Sequence, residues 1–184
     1  MKDETLTVIT SNQGKYREYK KRLGDHYEEV EMSNVGYPEI QASRLEEVVD
    51  FALEKLATHS PLVIDDSGLF VDALGGFPGV YSAYVMNTIG CDGILSLMED
   101  RDRREARFEC VIGYIGEERK KFKGTAEGTI IEEQRGSKGF GYDPIFSPKG
   151  YEKTYAEMTS QEKNEISHRG RSMEKFLDFV RTTE

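Results

Sequence analysis

Short runs of consecutive apolar residues alternate with stretches of helical apolar spacing in the first third of the chain. Strands are expected at residues 6–9, 28–32 and 62–64, and helices at 15–23 and 45–56. The run at 62–64 is apolar throughout, which is typical of a central strand covered on both faces. Ser43 is the expected N-cap of the second helix. This order of elements predicts an α/β fold.

The middle of the chain changes to β-rich patterning. Residues 106–115 and 121–131 are expected to form a twisted antiparallel pair, preceded by a helix around 94–98. Residues 74–82 and 136–148 are rich in Gly and contain Pro, and they are expected to form shaped loops.

Two helix signals close the chain. Thr159 and Glu162 have the spacing of a capping box, and Ser167 is the expected cap of the last helix. The apolar stripe of that helix consists of Met173, Phe176, Leu177 and Val180. Because there is no internal repeat, low-complexity tract or linker, residues 1–184 are expected to form a single domain.

The composition is that of an ordinary globular protein, with 37% hydrophobic and 32% charged residues. No apolar run approaches the roughly 18 residues that span a bilayer. The N-terminus carries no signal-peptide pattern, so a cytoplasmic location without membrane association is expected. The net charge is −9 and there is no basic block, which argues against nucleic acid as a partner. A local cluster of cations can still hold a small polyanion.

Cysteine and histidine give no metal or redox motif. Cys91 and Cys110 have no motif spacing and are expected to be reduced thiols. The chain's 3 histidines are scattered along the sequence, which gives a zinc site no support.

The segment Asp65-Asp66-Ser67-Gly68 is expected to leave the buried strand at 62–64. In open α/β folds, ligands gather beyond the carboxyl ends of strands. Successive strand residues point to opposite faces, so the two carboxylates are expected to have different roles. One would meet a metal ion or water, and the other would orient backbone groups. A turn that uses Asp and Gly for its conformation is the alternative.

Three further segments have residues suited to a nucleotide. Thr10-Ser11-Asn12-Gln13-Gly14-Lys15 joins a strand to a helix and offers N–H groups and a cation to phosphate, although it is not a Walker A loop. Gly139-Phe140-Gly141-Tyr142-Asp143-Pro144 offers aromatic faces to a base, and Ser167-His168-Arg169-Gly170 offers donors near Lys163. A plain helix cap, a packed turn and a solvated helix end are the respective alternatives.

Together, in this order, these segments resemble the inosine triphosphate pyrophosphatase family, also called the Ham1-like non-canonical purine triphosphatases. The longest match is the Asp65 segment with its continuation through Leu74-Gly75-Gly76-Phe77-Pro78-Gly79-Val80-Tyr81-Ser82. One departure is visible, because Ala83-Tyr84 stands where many members carry an Arg.

The resemblance implies a role for individual residues. Asp66 matches the general base and a metal ligand, and Glu39 matches the second magnesium carboxylate. The substrate contacts match Thr10, Ser11, Asn12, Gln13, Gly14, Lys15, Ser67, Phe140, Gly141, Tyr142, Asp143, Lys163, His168 and Arg169. It also implies a homodimer, and an elongated mixed sheet flanked by helices in two lobes with the active site between them.

The implied reaction is Mg²⁺-dependent hydrolysis of ITP, dITP or XTP to the monophosphate and pyrophosphate. Such an activity would remove deaminated purines from the nucleotide pool. Two alternatives stay open at this point. One is a triphosphate pyrophosphatase that prefers pyrimidine or methylated nucleotides, and the other is a nucleotide-binding sensor without catalysis.

Overall fold

The computed structural model describes residues 3–38, 40–56 and 61–183. The strands are β1 (Asp3–Ile9), β2 (Tyr27–Ser33), β3 (Leu62–Val71), β4 (Glu105–Ile115), β5 (Arg119–Ile130) and β6 (Phe146–Pro148). The helices are α1 (Gln13–Leu23), α2 (Leu45–Lys55), α3 (Ser82–Thr88), α4 (Gly90–Leu97), α5 (Ser160–Ile166) and α6 (His168–Thr183).

The strands form one mixed sheet in the order β2-β1-β3-β4-β5-β6. β1 is parallel to both of its neighbours, and the pairs from β3 to β6 are antiparallel. The α/β fold with a mixed sheet flanked by helices is therefore confirmed. None of the helices within the described ranges is long and apolar enough to cross a membrane.

Helices cover both faces of the central strands of the sheet. On one face, which we call the α6 face, the apolar stripe of α6 packs with Tyr19 and Leu23 of α1 against β1 and β4. On the opposite α2 face, Val49 and Leu53 of α2 pack against β3 and β4. A third cluster joins α3 and α4 to the far ends of β3, β4 and β5, around Phe108 and Phe146.

The predicted helices and strands are found with small shifts of their ends. The cap of α2 was predicted wrongly: its N-cap is Arg44, which makes no side-chain cap bond, while Ser43 N–H donates to Glu47 Oε2 at 3.3 Å. The structure contains β6 at the end of the predicted loop 136–148, and α3 begins at the last residue of the predicted loop 74–82 and continues into a stretch for which no element was predicted. Both lack a periodic signal because they span only 3 and 7 residues.

The larger correction concerns Asp65-Asp66-Ser67-Gly68. This segment does not leave the strand, because β3 continues through it and pairs with β4 from Leu62 to Val71. Gly68 is there for space and not for a turn: a Cβ at this position would lie 2.3 Å from the carbonyl oxygen of Gly79. The pairing of β3 with β1 does end before this segment, because only Leu62 and Val63 of β3 are in register with β1.

Candidate active site

A cleft of about 410 Å³ opens where β3 loses β1 as its neighbour. Its lining comes from α1, β3, β4, α3, the loop after Gly139, α5 and α6. The lining residues are Asn12, Lys15, Asp66, Ser67, Ser82, Ala83, Met86, Asn87, Phe108, Phe140, Gly141, Tyr142, Asp143, Lys163, His168 and Arg169. Residues that are far apart in the sequence therefore meet in one site.

Asp65 and Asp66 have different surroundings, as the strand alternation predicts. The side chain of Asp65 is 2% exposed and lies on the α6 face, where its Oδ2 is 3.8 Å from Cys110 Sγ. Asp66 is half-buried and lines the cleft, and its Oδ1 accepts a hydrogen bond from Ser67 N–H at 2.9 Å. Of the two residues, only Asp66 is part of the cleft lining.

Lys15 enters the cleft from the first turn of α1. The Asn12 side chain caps this helix by accepting hydrogen bonds from the N–H groups of Gly14 and Lys15. Asn12 N–H in turn donates to Thr10 Oγ1 at 3.1 Å. The capped turn fixes the direction of Lys15, whose Nζ lies 3.1 Å from Asp65 Oδ2.

Arg169 enters the cleft from the first turn of α6. Its Nε donates to Asp65 Oδ2 at 3.1 Å, and its second terminal nitrogen donates to Ser67 Oγ at 3.2 Å. Burial alone would raise the pKa of Asp65, but the charges of Lys15 and Arg169 outweigh it and hold that pKa below its ordinary value. Asp65 is therefore ionised at neutral pH and balances part of the positive charge.

Lys163 from α5 provides a third cation. Its Nζ forms a buried ion pair with Asp143, whose Oδ2 also accepts a hydrogen bond from Phe140 N–H at 2.9 Å. The exposed ring of Phe140 lies 4.5 Å from Lys163 Nζ and 5.5 Å from the Arg169 guanidinium carbon. This places an aromatic face at the mouth of the cleft, directly over two cations.

His168 lies on the floor of the cleft, 5% exposed and stacked on Phe108 with ring centroids 4.7 Å apart. Burial first, and then the charges of Arg169 and Lys163, lower its pKa well below 6.5. Its Nδ1 is buried without a hydrogen-bond partner among the residues that the structure describes. His168 is therefore a neutral imidazole with a hydrogen-bonding atom that the fold itself does not satisfy.

The structure sorts the residues predicted for the site. It brings Asn12, Lys15, Asp66, Ser67, Phe140, Gly141, Tyr142, Asp143, Lys163, His168 and Arg169 into the cleft lining. Among the described residues, the neighbours of Asn12 do not line the cleft. They are Thr10, Ser11, Gln13 and Gly14. Glu39 lies outside the described residues.

Sequence reasoning missed several residues of the site. Phe108 stacks under His168, and Ser82 hydroxyl accepts from Leu69 N–H while Ser82 carbonyl accepts from the Tyr142 hydroxyl. Ala83, Met86 and Asn87 reach the cleft because α3 lies beside it. Only long-range packing places these residues, so the local pattern had no signal for them. Asp65 was noted in the sequence, but its ion pairs with Lys15 and Arg169 were not.

Known proteins resemble this chain in both sequence and fold. A family model described as the Ham1 family matches residues 6–179. A dITP/XTP pyrophosphatase of Pyrococcus horikoshii is 52% identical over 179 residues, covering 96% of each chain. One of Thermococcus kodakarensis is 50% identical, covering 96% of this chain and 97% of the relative. The solved Ham1 protein of Staphylococcus aureus superposes with a TM-score of 0.88 at 32% identity, covering 98% of this chain and 100% of that one. The chain therefore belongs to the Ham1 family.

Proposed function

We propose that this chain hydrolyses the non-canonical purine nucleoside triphosphates dITP, ITP and XTP to the monophosphate and pyrophosphate. One observation carries the proposal: Lys15, Lys163 and Arg169 converge with the carboxylate of Asp66 and the neutral His168 on one cleft. Relatives at about half identity over nearly the full chain bear the name dITP/XTP pyrophosphatase, which supports the same substrates.

The cations give the cleft its attraction for a triphosphate. Lys15 and Arg169 both stand in the first turn of a helix, where the backbone dipole adds positive potential. Preorganised cations stabilise the charge that develops on phosphate oxygens during transfer, and they need no reorganisation at that moment. The triphosphate is therefore assigned to the Lys15 and Arg169 side of the cleft.

The base is assigned to Phe140 and His168. The ring of Phe140 offers a stacking face, and the neutral imidazole of His168, which lines the cleft, would offer a hydrogen bond. Hypoxanthine and xanthine carry an oxygen at position 6, where adenine carries an amino group. A site that is built on hydrogen bonds can reject the wrong analogue by about 10⁴-fold, because its buried groups are then left unpaired.

We propose that Asp66 and Glu39 hold a magnesium ion that is shared with the substrate. Within residues 3–38, 40–56 and 61–183 no three His, Cys, Asp or Glu side chains are grouped as a metal cage. Magnesium is commonly bound by one or two carboxylates together with substrate phosphates and water, and Asp66 with Glu39 would supply that number. When bound, the ion would neutralise charge on the phosphates.

Asp66 is proposed to act on water and not as a nucleophile. Asp66 lines the cleft, and its carboxylate would position, or take a proton from, the water that attacks the α-phosphorus. The bond between the α- and β-phosphates then breaks, and Lys15 and Arg169 stabilise the charge of the pyrophosphate that leaves. Asp65 is not assigned this role, because its side chain is buried and its Oδ2 is paired with both cations.

We further propose that the protein works as a homodimer in the cytoplasm, as the family resemblance implies. Light scattering of the purified protein tests the assembly, and cell fractionation tests the location. A monomer at working concentration would contradict the first part alone.

The decisive experiment is pyrophosphate release from ITP, dITP, XTP, GTP, ATP, dUTP and CTP, with and without magnesium. The proposal expects the deaminated purines to be preferred and a chelator to stop the reaction. Preference for dUTP or CTP would favour the pyrimidine alternative. Tight binding of ITP without any release of pyrophosphate would favour a sensor.

A further inference from the structure

The carboxylate of Asp65 is the point at which two elements of the cleft are joined. Its Oδ2 lies 3.1 Å from Lys15 Nζ on α1 and 3.1 Å from Arg169 Nε on α6. Lys15 Nζ also lies 3.4 Å from the carbonyl oxygen of Asp65. Helices that are separated by most of the chain therefore direct their cations through a single residue of β3.

Asp65 itself has no access to a ligand. Its side chain is 2% exposed, whereas those of Lys15 and Arg169 are 19% and 9% exposed and line the cleft. Cys110 contacts it from β4 and buries it further. Any effect of Asp65 on a bound molecule must therefore act through the two cations.

Without the carboxylate, the arrangement of the cations would not persist. Two positive groups that share one oxygen would repel each other, and neither would keep the ion pair that holds its rotamer. Arg169 would retain its hydrogen bond to Ser67, and Lys15 would retain only the 3.4 Å contact to the backbone carbonyl oxygen of Asp65, so each cation would lose the ion pair that sets its direction.

We propose that Asp65 is a positioning residue, which fixes Lys15 and Arg169 at the spacing that a polyphosphate chain requires. The proposal rests on the proposed function only for the identity of the natural ligand. The proposal predicts that removal of the negative charge of Asp65 beside an anion site weakens anion binding. From net charge alone, the opposite effect would be expected.

Inorganic tripolyphosphate, titrated calorimetrically without magnesium, tests this claim apart from any hydrolysis. For Asp65→Asn we expect a Kd at least about tenfold above that of the parent, because charge-assisted bonds that hold both cations are lost. Asp65→Glu, which keeps the charge but displaces it by one methylene, should lie between the two. With dITP, KM should rise by a larger factor than kcat falls, as expected when ground-state binding is lost.

Glu109→Gln is the matched control. Glu109 is also a buried carboxylate of the sheet with two cationic partners, Arg107 and Lys123, each at 2.7 Å, but it lies outside the cleft lining. This variant should lower the melting temperature and leave the Kd for tripolyphosphate unchanged.

Several outcomes would overturn the proposal. The first is that the parent protein does not bind tripolyphosphate. The second is that Asp65→Asn binds it as tightly as the parent or more tightly. The third is that Glu109→Gln loses as much affinity for it as Asp65→Asn does. If Asp65→Asn does not fold, Asp65→Glu decides, and an unchanged Kd there also overturns it. If Asp65→Asn binds more weakly but the parent releases no pyrophosphate from dITP, the proposed function fails and the positioning role stands.

Discussion

The carboxylates of Asp65 and Asp66 belong to neighbouring residues but lie on opposite faces of β3. Asp65 is enclosed by Lys15, Arg169 and Cys110, and Asp66 faces the cleft. The alternation of a strand thus converts a pair of identical side chains into a buried counter-charge and a residue that lines the cleft. Since β3 stays paired with β4 throughout, both are held on a rigid element.

Asp66→Asn should separate binding from chemistry. The amide keeps the shape of the side chain but cannot take a proton, so we expect kcat for dITP to fall by about 10³-fold. Binding of dITP, measured calorimetrically with the calcium ion in place of magnesium, should change by less than about tenfold in Kd. Retention of more than a tenth of the parent kcat would remove Asp66 from the proposed mechanism.

Phe140→Leu should weaken the binding of the base and leave that of the phosphates unchanged. The ring is 56% exposed, so its loss affects the fold little, but stacking on a base contributes about 1–3 kcal/mol. We expect the Kd for ITP to rise by about tenfold and that for tripolyphosphate to stay the same. Tyr151→Leu, which removes a 49% exposed ring outside the cleft lining, is the control. Equal losses for both ligands would contradict a stacking role.

Much of the fold follows from local pattern. The stripe of α6, the capping box before α5 and the antiparallel pair β4 and β5 are all visible in the sequence, because each depends on the spacing of nearby residues. The short elements α3 and β6 are not visible, since their sequences carry too few residues for a period to emerge.

The sequence indicates which residues belong to the site, but not which of them contact one another. Asp66, Lys15, His168 and Arg169 stand out because their segments resemble a known family, and the structure brings them into one cleft. The stacking of His168 on Phe108 depends on how α6 packs across the sheet, which a single sequence does not encode locally. The same applies to the two ion pairs of Asp65.

Gly124→Ala should disturb the start of α6. A Cβ at Gly124 would lie 2.0 Å from the carbonyl oxygen of His168 and 2.5 Å from Ser172 N, and both are backbone atoms that cannot rotate away. Overpacking of this kind costs about 1–3 kcal/mol, so the free energy of unfolding in urea should fall by that amount.

Gly36→Ala is the matched control for Gly124→Ala, because a Cβ at Gly36 meets no atom within 4 Å. The free energy of unfolding should change by less than about 0.5 kcal/mol in this variant. Equal stability of the two alanine variants would mean that α6 does not pack against β5 as closely as described.

His168→Gln should change how stability depends on pH. The pKa of His168 lies well below 6.5 in the folded protein, through burial first and then through the charges of Arg169 and Lys163. As the pH falls below 6.5, His168 binds a proton in the unfolded chain but not in the folded protein. The free energy of unfolding therefore keeps its full value above pH 6.5 and declines below it. Each pH unit over which the buried imidazole stays neutral removes about 1.4 kcal/mol.

The glutamine variant lacks this proton, so its free energy of unfolding should decline less steeply than that of the parent between pH 6.5 and pH 5. Urea unfolding of both proteins at half-unit steps of pH measures the difference. Above pH 7 the imidazole is neutral in both states, and the two profiles should run parallel, which serves as the internal control. If the difference in the free energy of unfolding between the two proteins is constant across the whole pH range, His168 accepts a proton in the folded protein. Its assignment as a neutral partner of the base would then fail.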